Sequence, residues 1–179
     1  MSAGPPARMT WQMILVGQYD SPFGRVAVAM NHYGIPFERR ILSVFTDFPA
    51  MLTINPLGKV PVLELNDGEP LFDSRAILDY LDGLVPPDRR LVPSEEPDRR
   101  RVLRIEAISV GLAEKLYERG FEFARRDPSS RDARVVQRVE RQILSALSWL
   151  RGAAPLALAV RRSHHTGRYH CGHCLYVYG

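Results

Sequence analysis

The sequence predicts a two-part protein in which an α/β domain precedes an all-α region. Apolar runs of strand length alternate with amphipathic helical runs over residues 13–84. A segment rich in proline and charge follows at residues 85–97, and residues 98–151 then show helical periodicity without a strand pattern. We therefore expect a domain at 13–84, a linker at 85–97 and a partial helical domain at 98–151.

The first half of the α/β region predicts strand, helix, strand. Residues 13–19 are a short apolar run that ends at turn residues, which is typical of a buried strand. Residues 22–32 share one apolar face, and the proline at their start suits the first helical turn. Gly-Ile-Pro at 34–36 ends this helix, and residues 37–42 predict a second strand. A short helix is expected over residues 47–53.

The second half of this region predicts a hairpin followed by a helix. Residues 62–65 and 70–72 have strand character, and Asn-Asp-Gly at 66–68 is a strong turn signal between them. Residues 74–84 have helical periodicity. The resulting order, β-α-β, a loop, then β-β-α, is thioredoxin-like.

Two helices are expected in the region that follows. The first spans about residues 98–126, and Asp-Pro-Ser-Ser at 127–130 separates it from the second. The second helix carries an apolar stripe of Val135, Val139, Ile143, Leu147 and Leu150. Its amphipathic pattern stops near residue 151, so we treat residues 152–179 as an aberrant tail rich in cysteine and histidine.

Composition limits the possible function classes. The chain has 179 residues and a net charge of +4, and its basic residues are mixed with acids along helices, which favours solvated helix faces over a nucleic-acid patch. No run reaches the length of a membrane span. Residues 1–12 are rich in glycine and proline, so we expect a flexible tail and no secretory signal. The two cysteines, Cys171 and Cys174, lie in the tail, so we expect a cytoplasmic protein without disulfides.

The segment around Pro61 predicts a peptide-binding edge. Proline donates no ladder hydrogen bond, so Pro61 suits the start of a strand, a position that often holds a cis peptide. The N–H and C=O of Val60 are then free to pair with an extended peptide. Asp73 and Ser74 open a helix, with Ser74 as its expected N-cap, and the N–H groups at a helix start attract a carboxylate. Together these features predict a small acidic peptide ligand.

The first βα turn has the sequence Ser-Pro-Phe-Gly at 21–24, so it lacks the Cys-x-x-Cys pair needed for disulfide exchange. It can instead activate a thiol that the ligand brings, because the helix start and the Ser21 hydroxyl both favour a thiolate. Each unit of pKa lowering needs about 1.4 kcal/mol. One hydrogen bond to a charged acceptor supplies roughly 1.5–3 kcal/mol. The alternative is that Ser21 is only a helix cap.

Three segments carry a family resemblance. Residues 19–25 (Tyr-Asp-Ser-Pro-Phe-Gly-Arg), 55–63 (Asn-Pro-Leu-Gly-Lys-Val-Pro-Val-Leu) and 73–81 (Asp-Ser-Arg-Ala-Ile-Leu-Asp-Tyr-Leu) resemble the glutathione-binding half of glutathione S-transferases of the serine type, tau-like and bacterial. The resemblance runs from about residue 13 to about residue 150. It implies a fold in which a thioredoxin-like domain precedes a helical domain, here an incomplete one.

The resemblance also implies roles for individual residues. Ser21 would be catalytic and stabilise the glutathione thiolate. The remaining site residues would bind the tripeptide: Lys59 at the glycyl carboxylate, Val60 through its backbone, Pro61 through its cis bend, and Asp73 and Ser74 at the γ-glutamyl end. Lys59 could instead be a surface cation, and Asp73 and Ser74 could be helix caps. Tyr19 is a rival hydroxyl that we interpret as packing support.

The implied function is a glutathione transferase that attacks a small hydrophobic electrophile. Glutathione is then a co-substrate, no separate cofactor or metal is needed, and the family usually forms homodimers. No nucleic-acid or membrane partner is expected. The alternative is a non-catalytic interaction protein of the stringent-starvation type, which binds RNA polymerase through the same fold.

The tail departs from the family pattern. Its four histidines and two cysteines at 164–174 could bind zinc or copper, or the tail could be unstructured. When residues 165–174 are back-translated and read one base later, the code permits Thr-Pro-Asp-Asp-Ile-Thr-Val-Ala-Thr-Ala, which resembles the capped helix that glutathione transferases have there. We hypothesise that the chain is out of frame after about residue 152, C-terminally truncated and marginally stable. Sequencing the gene in independent isolates tests this.

Overall fold

The computed structural model describes residues 13–19 and 21–164, with side chains described as far as residue 155. The described chain divides into two compact units, and the boundary falls between Arg90 and Leu91. None of the helices in these described ranges has the length and apolar character needed to cross a lipid bilayer.

The first unit contains a mixed four-stranded sheet. Its strands are listed in chain order as β1 (Met13–Val16), β2 (Phe37–Arg40), β3 (Val62–Glu64) and β4 (Pro70–Phe72). Their spatial order is β2-β1-β3-β4, with β1 parallel to β2 and the other two pairs antiparallel. The hairpin between β3 and β4 is confirmed, and its turn places Gly68 at φ 85°.

Three helices accompany the sheet: α1 (Phe23–Tyr33), α2 (Phe48–Ile54) and α3 (Ser74–Gly83). The predicted thioredoxin-like order is confirmed. The first strand is shorter than predicted and ends at Val16, because Gly17 adopts a positive φ of 146° and leaves the extended conformation. The second strand likewise ends at Arg40 rather than at residue 42.

The sheet is buried on both faces near its centre. Leu15 and Leu63 are fully buried in a cluster with Met30 of α1 and Ile77 of α3. Val16, next to Leu15 in β1, contributes to a second cluster with Val62 and Met51. Successive strand residues point to opposite faces, so an apolar run such as β1 requires cover on both sides.

A buried polar contact joins the ends of α1 and α3. The Tyr33 hydroxyl donates to Asp82 Oδ1, and both residues are at least 93% buried. The Arg89 guanidinium also donates to the Tyr33 carbonyl at 3.2 Å. Since α1 begins beside Ser21 and α3 begins at Ser74, this contact helps to fix the relative position of two predicted site residues.

The second unit consists of two long helices. Helix α4 spans Asp98–Arg125, a short 3-10 turn spans Pro128–Ser130, and α5 spans Ala133–His164. The boundary predicted near residue 151 is wrong for the helix, which continues through Gly152 and contains Pro155. A proline removes one intrahelical hydrogen bond, and the alanine-rich sequence around it keeps a strong helix propensity.

The two long helices bury few apolar side chains. Among their described side chains, the buried ones are Ile105, Val139 and Ile143. Val135 and Leu147, from the predicted stripe, are 43% and 48% exposed. The predicted stripe is therefore covered in part, at Val139 and Ile143, and exposed at Val135 and Leu147.

The tail predictions concern mainly residues beyond the described range. The cysteines and most of the histidine-rich segment lie outside the described residues, so metal binding there and an altered reading frame stay predictions. Within the described part of the chain, no cluster of histidine, cysteine and carboxylate side chains suits a metal ion.

Candidate functional site

The sheet register brings three predicted site segments to one edge. Val16, the last residue of β1, pairs with Val62, the first residue of β3, and Val62 pairs on its other side with Phe72, the last residue of β4. Neighbouring strands lie about 4.8 Å apart. The first βα turn, the Val60-Pro61 segment and the Asp73-Ser74 segment therefore all leave the sheet at the same edge.

Ser21 lies in the first βα turn and is half-buried. Its Oγ accepts a hydrogen bond from the Phe23 N–H at 3.2 Å and donates to the Gln18 carbonyl at 2.5 Å. A hydroxyl has only one proton. A sulfur at this position would therefore compete with the Gln18 carbonyl for the Ser21 proton, and the hydroxyl would donate to it after rotation about the Cβ–Oγ bond.

The start of α1 offers fewer free amides than the sequence predicts. Pro22 has no N–H, the Phe23 N–H binds Ser21 Oγ, and the Gly24 N–H donates to the Ser21 carbonyl at 3.1 Å. The positive end of the helix dipole is still directed at the turn. The Ser21 hydroxyl and the dipole are thus the two features here that favour a thiolate.

Val60 lies next to the first βα turn. A Cβ placed on Gly17 would be 3.1 Å from Val60 Cβ and 3.0 Å from Phe23 Cδ2, so the absence of a side chain at Gly17 lets these segments approach. The Val60-Pro61 peptide is cis, as predicted. Within the described residues, neither the N–H nor the C=O of Val60 has a hydrogen-bond partner, so both can pair with an extended ligand.

Asn55 organises the loop that precedes Val60. It is 3% exposed, its Nδ2 donates to the Lys59 carbonyl at 2.8 Å, and its Oδ1 accepts from the Leu57 N–H at 3.0 Å. This role of Asn55 was not predicted, because a single asparagine in a loop can have many other roles. The Asn-Pro pair that begins the loop was the available signal.

We expect Asn55→Ala to lower the free energy of unfolding by about 2 kcal/mol, because it removes two part-buried hydrogen bonds, to the Lys59 carbonyl and from the Leu57 N–H. Chemical denaturation of both proteins measures the change. Asn55→Asp is the matched variant, since it keeps the acceptor for the Leu57 N–H and loses the donor to the Lys59 carbonyl. An Asn55→Ala protein as stable as the parent would contradict this role.

The start of α3 differs from the prediction in one respect. Asp73, not Ser74, is the N-cap, because its carboxylate accepts from the Arg75 N–H at 2.7 Å while Ser74 is already helical. Asp73 adopts φ 67° and ψ 132°, which lies outside the left-handed helical region that aspartate tolerates, so its backbone is strained. Ser74 is 7% exposed, and its hydroxyl has no hydrogen-bond partner among the described residues, so it can bind a ligand.

The remaining predicted residues, Tyr19 and Lys59, lie at the surface. Tyr19 is 59% exposed, packs edge-on against Phe23 with ring centroids 5.0 Å apart, and accepts a hydrogen bond from Arg39. This agrees with a supporting role. The Lys59 side chain is exposed. Exposure is compatible with both predicted roles, a solvated surface cation and a residue that binds the carboxylate of a ligand.

The first unit of the chain resembles a known protein family. Residues 15–89 match the family model for the glutathione S-transferase N-terminal domain. Over these residues the chain is similar to the glutathione S-transferase N-terminal domain, as the sequence predicts. The altered reading frame stays a prediction.

Curated relatives of the glutathione S-transferase family agree over a similar region. The chain is 37% identical over 101 residues to the uncharacterized GST-like protein YibF of Escherichia coli, which covers 56% of this chain and 50% of YibF. It is 31% identical over 93 residues to glutathione S-transferase U22 of Arabidopsis thaliana (51% and 42%) and 35% over 92 residues to maleylacetoacetate isomerase of Pseudomonas aeruginosa (49% and 42%). The chain spans about half the length of these relatives.

Solved glutathione transferase structures extend the likeness. A glutathione S-transferase from Methylobacillus flagellatus with bound glutathione has a TM-score of 0.70 and 29% identity, covering 78% of this chain and 68% of that one. A family member from Pseudomonas fluorescens Pf-5 with bound glutathione has a TM-score of 0.70 and 27% identity, covering 86% and 82%. The fold predicted for both parts of the chain, α/β and then helical, is confirmed.

Proposed function

We propose that this protein binds glutathione at the edge of its thioredoxin-like sheet and acts as a glutathione transferase. The observation that supports this most directly is the row formed by Val16, Val62 and Phe72, because the three segments that we propose to bind the ligand leave the sheet next to these residues. Solved relatives that bind glutathione share this fold.

In the proposed complex each end of glutathione meets a different segment. The cysteinyl residue pairs with the free N–H and C=O of Val60. The γ-glutamyl carboxylate meets the Ser74 hydroxyl and the first-turn amides of α3, while the Asp73 carboxylate fixes that helix start. The glycyl carboxylate meets the Lys59 ammonium, whose side chain is exposed beside this edge.

The proposed chemistry is attack of the glutathione thiolate on an electrophile with displacement of a leaving group. The thiol releases its proton to solvent water, and Ser21 donates a hydrogen bond to the resulting thiolate in place of its bond to the Gln18 carbonyl, while the dipole of α1 adds to the stabilisation of negative charge. The sulfur forms a bond to an electrophilic carbon, and the displaced group leaves with the electron pair of the bond that breaks. Glutathione is the co-substrate, and we propose no other cofactor.

Two further parts of the proposal concern assembly and location. We propose a homodimer in the cytoplasm, as the family resemblance implies.

The relative in Pseudomonas aeruginosa is named an isomerase, so isomerisation through the same thiolate is a second candidate reaction. A non-catalytic interaction protein would bind glutathione without a thiolate that depends on Ser21.

We expect Ser74→Ala to weaken glutathione binding about tenfold, because a buried hydroxyl that meets a carboxylate is worth on the order of 1.5 kcal/mol. Retention on immobilised glutathione, followed by calorimetric titration with free glutathione, measures the loss. Ser148→Ala, an exposed serine of α5, is the matched control and should bind as the parent does. A parent chain that neither binds the resin nor gives heat with glutathione would refute the proposed function.

A further inference from the structure

Tyr19 and Arg39 form an exposed pair at the mouth of the first βα turn. The Tyr19 ring packs edge-on against Phe23, whose N–H donates to Ser21 Oγ. Arg39 donates through Nη1 to the Tyr19 hydroxyl, and its Cζ lies 4.9 Å from the centroid of the Tyr19 ring. A continuous set of contacts thus connects the guanidinium to the turn that holds Ser21.

Arg39 forms no ion pair with a carboxylate among the residues that the structure describes. Its hydrogen-bond partner there is the Tyr19 hydroxyl. The next residue gives the contrast, because Arg40 pairs with Glu64 at 2.7 Å. Since an arginine has several N–H donors and Arg39 uses one of them on Tyr19, the others are available to a ligand.

The arrangement also limits how Arg39 can move. Arg39 lies on β2 opposite Leu15, a fully buried residue of β1, so its backbone is fixed in the sheet. Tyr19 is anchored by its ring on Phe23, and its hydroxyl then holds the guanidinium beside the turn. A positioned cation that lacks a protein carboxylate is suited to a ligand carboxylate, which it can bind through two parallel hydrogen bonds.

We infer that Arg39, positioned by Tyr19, is a specificity-determining residue that favours electrophiles carrying a carboxylate near the reacting carbon. This inference rests on the proposed glutathione site and goes beyond it, because it names the class of the second substrate. Arg39 binds the carboxylate of the electrophile or of the conjugate, and Tyr19 is a positioning residue for Arg39.

The test compares two glutathione conjugates of similar size by calorimetric titration of the full chain. S-(2-carboxyethyl)glutathione carries the carboxylate, and S-propylglutathione does not. We expect the parent to bind the carboxylate conjugate about two- to fivefold more tightly than S-propylglutathione, because an exposed ion pair contributes an effect of this size. Arg39→Ala should abolish this preference without changing the affinity for glutathione, and Arg39→Lys should restore part of it.

Two further variants separate positioning from general charge. Tyr19→Phe keeps the ring on Phe23 and removes the oxygen that holds Arg39, so it should reduce the preference without lowering the affinity for glutathione. Arg138→Ala removes an exposed arginine of α5 and should leave the preference intact. Equal binding of both conjugates by the parent, or a preference that survives Arg39→Ala, overturns the inference while glutathione binding stands. Failure to bind glutathione itself overturns the proposed function and the inference with it.

Discussion

Ser21→Ala is expected to slow conjugation of glutathione to an aromatic halide by about 10- to 100-fold, the value of one hydrogen bond to a charged acceptor. The loss should come from a higher pKa of the bound thiol, since the alanine has no proton to donate. The same change removes the bonds from Ser21 to the Gln18 carbonyl and the Phe23 N–H, so we also expect about 1 kcal/mol less stability.

Two readouts distinguish catalysis from helix capping. The ultraviolet absorbance of the bound thiolate as a function of pH gives the thiol pKa directly, and chemical denaturation gives the stability. Ser21→Thr is the matched variant, because it keeps a hydroxyl on the same carbon. If Ser21→Ala lowers stability but leaves the thiol pKa and the rate unchanged, Ser21 is a helix cap, and the non-catalytic alternative is favoured.

Gly58→Ala is expected to lower the free energy of unfolding by about 2–3 kcal/mol, and glutathione binding should weaken with it. Gly58 adopts φ 59°, and a Cβ there would lie 2.3 Å from Phe48 Cε2. Phe48 is 45% exposed, so its ring has room to move, but only by leaving its contact with this loop. Lys59 and Val60 follow Gly58 directly in this loop, so a displacement of the loop should also displace these two proposed ligand-binding residues.

The chain offers a matched control for the backbone part of this effect. Gly68 has φ 85° and nothing within 4 Å of its Cβ position, so Gly68→Ala should cost only the left-handed conformation, about 1 kcal/mol. A double-mutant cycle isolates the remainder. When Phe48 is already alanine, Gly58→Ala should cost no more than Gly68→Ala does. A full 2–3 kcal/mol loss in that background would show that Phe48 is not the cause.

The order of elements was predictable because it depends on local patterns. Alternating apolar periods identified the strands and helices of the first unit, and the Asn-Asp-Gly turn identified the β3–β4 hairpin. The cis peptide before Pro61 was also predicted from a local feature, a proline between two β-branched residues at the start of a strand. The edge that gathers the site segments follows from this topology.

The details that were missed depend on contacts distant in sequence or on the choice between adjacent residues. Gly17 matters because Val60, more than 40 positions away, approaches it, and no local pattern shows that. Asp73 and Ser74 are both good capping residues, and only the backbone conformation shows that Asp73 is the cap. The hydrogen bond from Ser21 to the Gln18 carbonyl likewise appears only in three dimensions.

The length of α5 was underestimated for another reason. The loss of amphipathic periodicity after Leu150 was interpreted as the end of ordered helix. Helical backbone needs propensity rather than periodicity, and the alanines around Pro155 supply it. Amphipathic periodicity indicates that one face of a helix is covered by other parts of the protein. The periodic pattern and the helix itself can therefore end at different residues.

The unpaired backbone of Val60 has a consequence for how affinity responds to solution conditions. Peptide N–H and C=O groups do not ionise, so the part of the binding energy that they contribute should be indifferent to added salt. In the proposed complex the ammonium of Lys59 meets a carboxylate at the surface, where dissolved ions screen the attraction over about 8–10 Å. Affinity for the tripeptide would therefore fall with ionic strength to a plateau rather than to zero, and the height of that plateau measures recognition by the main chain and by uncharged groups such as the Ser74 hydroxyl.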